Sequence, residues 1–181
     1  MLRPLSLTAG AALVVLAACQ PSNKPQPLTA ADSAAIDKVR SEYQTAWNAG
    51  NVDGVLRLFA SGAEVHEQDT PAVKGENALR TYLNTAMGTP QRPKLEIMRG
   101  TTVGRQDLAV EVGRYTLTLP APAAPAKGAA PAAPAPITGK YLVVLMKQAD
   151  GSWKLTYDSG TLDAPMAPPA PAETGRKARR R

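Results

Sequence analysis

Residues able to do chemistry are few in this chain of 181 residues, and they stand apart from one another. Cys19 is the only cysteine and His66 the only histidine, so an internal disulfide is excluded and the three or four ligands of a zinc site are lacking. What remains are carboxyls and phenols, groups suited to proton transfer or polar binding. Glu67 closes the alternating run "AEVHE" (Ala63 to Glu67). Turned inward, its carboxyl would be desolvated and its pKa raised; turned outward, it is a solvated strand end. His66 then points to the opposite face of the strand, as a surface or interface residue. Glu64 and Glu67 lie three apart and so on opposite faces, which weakens a glycosidase-like reading of them as a carboxylate pair. Tyr43 and Trp47 lie four apart, a spacing that serves a ligand pocket or a packed core equally well. Arg114 and Asp158 fall in strand-like runs, where an inward charge needs a partner or a ligand and an outward one needs neither. The sequence contains no GxSxG elbow and no Walker-type phosphate loop. Its aromatic residues are not interleaved with basic ones, so nucleic-acid binding has no support. Neither a metal nor a cofactor is expected.

The context of Cys19 is more specific. Arg3 supplies a positive charge, Leu7 to Leu16 an apolar run, and Leu16-Ala17-Ala18 lead into the cysteine. The run is too short to cross a hydrocarbon layer of about 30 Å, which needs roughly 20 helical residues, and has the character of a targeting segment. "LAAC" resembles the bacterial lipobox, which implies acylation at Cys19, cleavage before it and a mature chain tethered to the membrane. Gln20 stands where an inner-membrane-retaining Asp occurs in some Gram-negative lipoproteins, so an outer-membrane, cell-envelope destination is favoured. Ordinary secretion with an incidental cysteine, or a buried thiol, is the alternative.

The elements that must position these residues lie between proline-rich stretches. With residues 1–18 taken as leader, 19–27 as linker and 166–181 as tail, 28–165 form one domain, interrupted by an Ala/Pro insertion at 120–136. The tail carries Arg176, Lys177, Arg179, Arg180 and Arg181. Setting these five aside leaves sixteen basic against fifteen acidic residues, a near-neutral domain. A like-charged run stays extended, either solvated or touching anionic envelope polymers or lipids.

Within the domain, Ile36, Val39, Tyr43, Ala46 and Trp47 recur at helical spacing between Leu28 and Gly50, with Thr29 or Asp32 as cap and Gly50 as stop. Asn51 caps a short second helix through Phe59, and Ala63 to Glu67 form a strand. A third helix spans Gly75 to Gly88 with Ala78, Leu79, Tyr82 and Leu83 inward. Four strands follow, at Lys94–Val103, Leu108–Leu119, Thr138–Gln148 and Ser152–Asp158, with "ADGSW" as the last turn. Three helices packed on a curved antiparallel sheet define an α+β class.

"YQTAWNAGNVDGVLRLFASGAEVHE" (Tyr43 to Glu67), "PAVKG", and "GKYLVVLMKQADGSWKLTYD" (Gly139 to Asp158) resemble the nuclear transport factor 2-like fold, which includes SnoaL-type cyclases and ketosteroid isomerases. The resemblance implies a cone with a pocket between helices and sheet, often in a homodimer. It also implies Tyr43 as an oxyanion donor and Glu67 as a base. The isomerases' second oxyanion group, a protonated aspartate, has no counterpart in Tyr141 to Met146, near Val143, which argues against isomerase chemistry. The reading that follows is a binding domain for a small apolar or amphipathic ligand, its pocket framed by Tyr43, Trp47, Glu67, Tyr82, Tyr115 and Asp158. The alternatives are a dimeric interaction protein, or an isomerase-, cyclase- or dehydratase-like enzyme using Glu67 and Tyr43.

Overall fold

Thr29 and Asp32 fix where the first helix begins. The Asp32 backbone N–H donates to the Thr29 hydroxyl at 3.1 Å, and the Thr29 N–H donates back to the Asp32 carboxylate at 3.0 Å. This reciprocal cap satisfies two of the donors that a helix start leaves unpaired. The computed structural model describes residues 26–88, 92–120 and 136–164. Cys19, most of the linker and of the Ala/Pro insertion, and the basic tail lie outside them.

Helix α1 (Ala30–Ala49) ends at Gly50, whose φ of 69° is the left-handed conformation that glycine adopts without strain. Asn51 then accepts the Gly54 N–H at 2.8 Å and caps α2 (Val52–Leu56), which stops three residues short of the expected end. The reason is that Phe59 is already in strand β1 (Phe59–Glu67), paired with Leu155. A bulge around Gly62, φ 79°, separates Phe59 from the alternating run and hides the strand's true start. Strand β2 (Val73–Lys74), absent from the sequence reading, is two residues long and carries no periodicity of its own. Helix α3 (Glu76–Met87) buries Leu79, Leu83 and Met87, while Ala78 is exposed. The strands β3 (Lys94–Arg105), β4 (Leu108–Thr118), β5 (Ile137–Lys147) and β6 (Trp153–Leu162) complete a six-stranded sheet of order β2-β1-β6-β5-β4-β3. β6 runs four residues past Asp158, so Gly160 comes to lie opposite Glu67.

The helices pack on one face of this open, curved sheet, giving the expected α+β cone. One pair departs from the antiparallel expectation: β1 runs parallel to β6, because no hairpin joins them and the chain between them is free to return in either direction. Between helices and sheet lies a core that includes Ile36, Val55, Leu79, Leu83 and Met87, each at most 1% exposed. Across the rim, α1 also closes the free edge of β3. Asn48 both accepts from the Leu95 N–H (2.8 Å) and donates to the Leu95 carbonyl (2.9 Å), while Gln44 accepts from Ile97 N–H (2.6 Å). Two side chains one helical turn apart thus do for the edge what another strand would do.

Candidate functional site

The cavity between α1, α3 and the sheet has a volume of about 180 Å³. Most of its wall is apolar, with Ile36 and Val39 from α1 and Leu95, Ile97, Val143 and Leu145 from the sheet. All six residues expected to frame a pocket are in its lining: Tyr43, Trp47, Glu67, Tyr82, Tyr115 and Asp158. Pleat parity accounts for the strand members, since Val65 is buried and Glu67, two positions on, shares its face.

Tyrosines reach the interior because glycines face them across the sheet. Tyr115 is the cross-strand partner of Gly139, and Tyr141 that of Gly113. A Cβ at Gly113 would come within 2.6 Å of the Tyr141 ring, so a side chain there would displace it. Gly160 does the same for a carboxylate: a Cβ there would lie 2.9 Å from Glu67 Oε2.

Two separate polar groups line the cavity. In the first, the Tyr82 hydroxyl donates to Glu67 Oε1 at 3.1 Å, so the phenol paired with Glu67 is Tyr82 and not Tyr43. Tyr43 instead stacks on Trp47, with centroids 6.2 Å apart, and meets Phe59 edge-on at 6.3 Å. Trp47 is both core and lining, its indole N–H donating to the Pro93 carbonyl at 3.1 Å. The hydroxyls of Tyr43 and Tyr115 and the carboxyl of Asp158 have no hydrogen-bond partner among the described residues. Burial pushes the Asp158 carboxyl up to about 7, and the negative charge of Glu67 adds to the rise. Burial raises Tyr115 to about 12, helped by the charges of Glu67, Asp163 and Asp158, and raises Tyr43 and Tyr82 as well. All three phenols therefore remain protonated donors at neutral pH.

Asp158 is the cross-strand partner of Val143, so a carboxyl reaches this part of the cavity wall from β6, where β5 itself offers none.

The second polar group has no antecedent in the sequence reading. Glu111, 2% exposed, accepts from Arg40 Nη1 (2.7 Å), Tyr141 hydroxyl (2.8 Å) and Thr102 hydroxyl (2.9 Å). Arg40 also holds Asp37 at 2.6 Å, and Arg99 reaches the same Asp37 at 3.0 Å. The signal was available: Glu111 alternates with Ala109, Gly113 and Tyr115 on the inner face, and Arg40 lies one turn from Ile36 on the inward side of α1.

Other candidates lie elsewhere. His66 is exposed and bonds Glu64 at 3.1 Å, and Glu64 also holds Lys74 at 3.0 Å. Arg114 faces outward and pairs with Asp163. Among the described residues no group of three or more His, Cys, Asp or Glu is placed to hold a metal ion.

A family model described as SnoaL-like domain matches residues 39–155. No curated protein matches the sequence. Among solved structures, the chain is similar to a ketosteroid isomerase-like protein from Erwinia carotovora atroseptica, with 21% identity and TM-score 0.59 over 73% of this chain and 96% of that one. An NTF2-like protein of unknown function from Pseudomonas putida shares 15% identity at TM-score 0.61, covering 77% and 92%. A protein of unknown function with a cystatin-like fold from Nostoc punctiforme shares 19% at TM-score 0.60, covering 75% and 94%. At these identities the likeness establishes the fold.

Proposed function

The chain belongs to the SnoaL-like domain family, and from that premise we propose that its cone is a binding site for a small, largely apolar ligand, held at the bacterial cell envelope by lipidation of Cys19. One observation carries the binding reading: Asp158, Tyr43 and Tyr115 present polar groups without partners among the described residues in the wall of a largely apolar cavity. All three residues are half-buried, so these groups stay open to a ligand or to water entering the cavity. Native mass spectrometry of protein prepared without detergent tests this; retention of a small molecule, lost on Tyr115→Trp, is expected. A sealed interior that takes up nothing would refute it. The tether has its own test. Cys19→Ala should move the protein from the membrane fraction to the soluble fraction.

A second reading, proton transfer at a carbon acid, is favoured by the placement of Glu67 and Asp158 in one cavity wall. A base beside a carboxyl kept protonated up to about pH 7 has the elements needed to remove a proton and stabilise the resulting oxyanion. Exchange of α-protons of a bound ketone into deuterated solvent, abolished by Glu67→Gln, would support it.

The outer face of the sheet bears on assembly. Val112 pairs with Leu142 and Leu108 with Met146 across β4 and β5, and all four are at least 40% exposed, with Tyr157 beyond them on β6. A contiguous apolar surface of this kind fits a second copy of the chain. Light scattering should give a dimer that Leu142→Lys dissociates.

A further inference from the structure

The cavity sets size, shape and charge for its occupant, and the charge is one-sided. Among the described residues, Glu67, Glu111 and Asp158 line it against a single basic residue, Arg40. Arg40 is already committed to Glu111 and Asp37, and Glu111 accepts three donors. The uncompensated acidity therefore sits at Glu67 and Asp158. Among the described residues neither forms an ion pair; Glu67 receives one phenol hydrogen bond, from Tyr82, and Asp158 receives none.

We propose that the cavity accepts an organic cation, a body about the size of one aromatic ring bearing a protonated amine that docks at Glu67 and Asp158 beside the rings of Tyr43, Tyr82 and Tyr115. This rests on the pocket reading above and names its ligand class. The volume fits: about 180 Å³ compares with the roughly 150 Å³ of an apolar cavity known to hold benzene. A neutral ligand would leave the Asp158 carboxyl without a charge partner, and an anion would add to the charge that already opposes ionisation there. An ammonium satisfies both carboxyls, and aromatic rings add the attraction of their π faces for a cation.

Docking a cation requires Asp158 to give up its proton, so binding is linked to pH. The groups facing Asp158 are Glu67 from β1, Tyr82 from α3, Tyr43 from α1 and Tyr115 from β4; Val143, its partner on β5, does not titrate. The three phenols stay neutral through this range, and an alkylammonium stays charged to about pH 9 or above. A single proton is therefore displaced.

The experiment is calorimetric titration of the full chain with three probes sharing one apolar body: phenethylammonium, 2-phenylethanol and 3-phenylpropanoate. At pH 8 phenethylammonium should bind at least tenfold more tightly than 2-phenylethanol, and 3-phenylpropanoate should bind weakest. Lowering the pH from 8 to 6 should weaken phenethylammonium binding by about tenfold while leaving 2-phenylethanol unchanged. Asp158→Asn should flatten that pH dependence and remove the preference for the cation. The wild-type comparison decides the matter even if the variant fails to fold. Binding of 2-phenylethanol equal to or tighter than that of phenethylammonium would overturn the cation assignment and leave the pocket reading standing. Binding of none of the three would overturn both.

Discussion

Asp158 and Asp32 carry the same chemical group into opposite fates. The Asp32 carboxylate meets Lys147 Nζ at 2.7 Å, the Thr29 hydroxyl at 2.6 Å and the Trp153 indole N–H at 3.3 Å, and these donors hold its pKa far below the ordinary 3.8. Asp158 has no such donors among the described residues and rises to about 7. The consequences for stability have opposite signs. Asp32 is ionised more readily folded than unfolded, so its contribution is complete above about pH 4 and is lost as the pH falls further. Asp158 holds its proton more tightly when folded, so its contribution is complete below about pH 4 and is lost as the pH rises to about 7. The melting temperature should accordingly climb from pH 2 to 4 and then decline toward pH 7. Asp158→Asn should abolish the decline while leaving the acid limb in place, as scanning calorimetry across pH would show. Sequence parity marked Asp158 only as a strand residue with an open orientation; which donors surround a carboxyl is a tertiary fact. The sequence offered Thr29 or Asp32 as the cap of α1, and Thr29 fills that position, whereas the donors Lys147 and Trp153 come to Asp32 from more than a hundred positions away.

At the scale of elements, the helices and the last four strands were readable because their apolar residues repeat at 3.6 or 2. The bulge at Gly62, the two-residue β2 and the parallel β1–β6 pairing were not, since each depends on a distant partner rather than a local period. The same division applies to the tie between α1 and β4. Arg40 and Glu111 stand 71 positions apart and close a buried ion pair. Removing Arg40 leaves the Glu111 charge in the interior with only the Tyr141 and Thr102 hydroxyls to answer it, whereas removing Glu111 leaves Arg40 its bond to Asp37. Arg40→Met should cost about 3–5 kcal/mol, whereas Arg40→Met with Glu111→Leu should cost less than the single change, because no lone charge then remains. Urea denaturation of the wild type, both single variants and the double variant gives the coupling. Equal losses in Arg40→Met and the double variant would mean that Glu111 is not stranded.

For the molecule as a whole, β4 and β5 pair without a register shift from Leu108↔Met146 to Leu117↔Ile137, so the hairpin is complete without the Ala/Pro insertion, of which 121–135 lie outside the described residues. Replacing Ala121 to Pro136 by a short turn should leave the melting temperature equal or slightly higher, because loop length costs only about 0.6 kcal/mol per doubling. A fall of many degrees would mean that the insertion docks on the domain. The parallel seam between β1 and β6 carries a different implication. Glu67 waits for Gly160 and Asp158, and Asp32 waits for Trp153, 121 residues later. Until β6 is in place, α1 to α3 are an incomplete half, with part of their apolar face uncovered. The ligand site therefore closes only with the last strand, and a chain truncated before Trp153 should be a substrate for holding chaperones and proteases rather than a weakened binder.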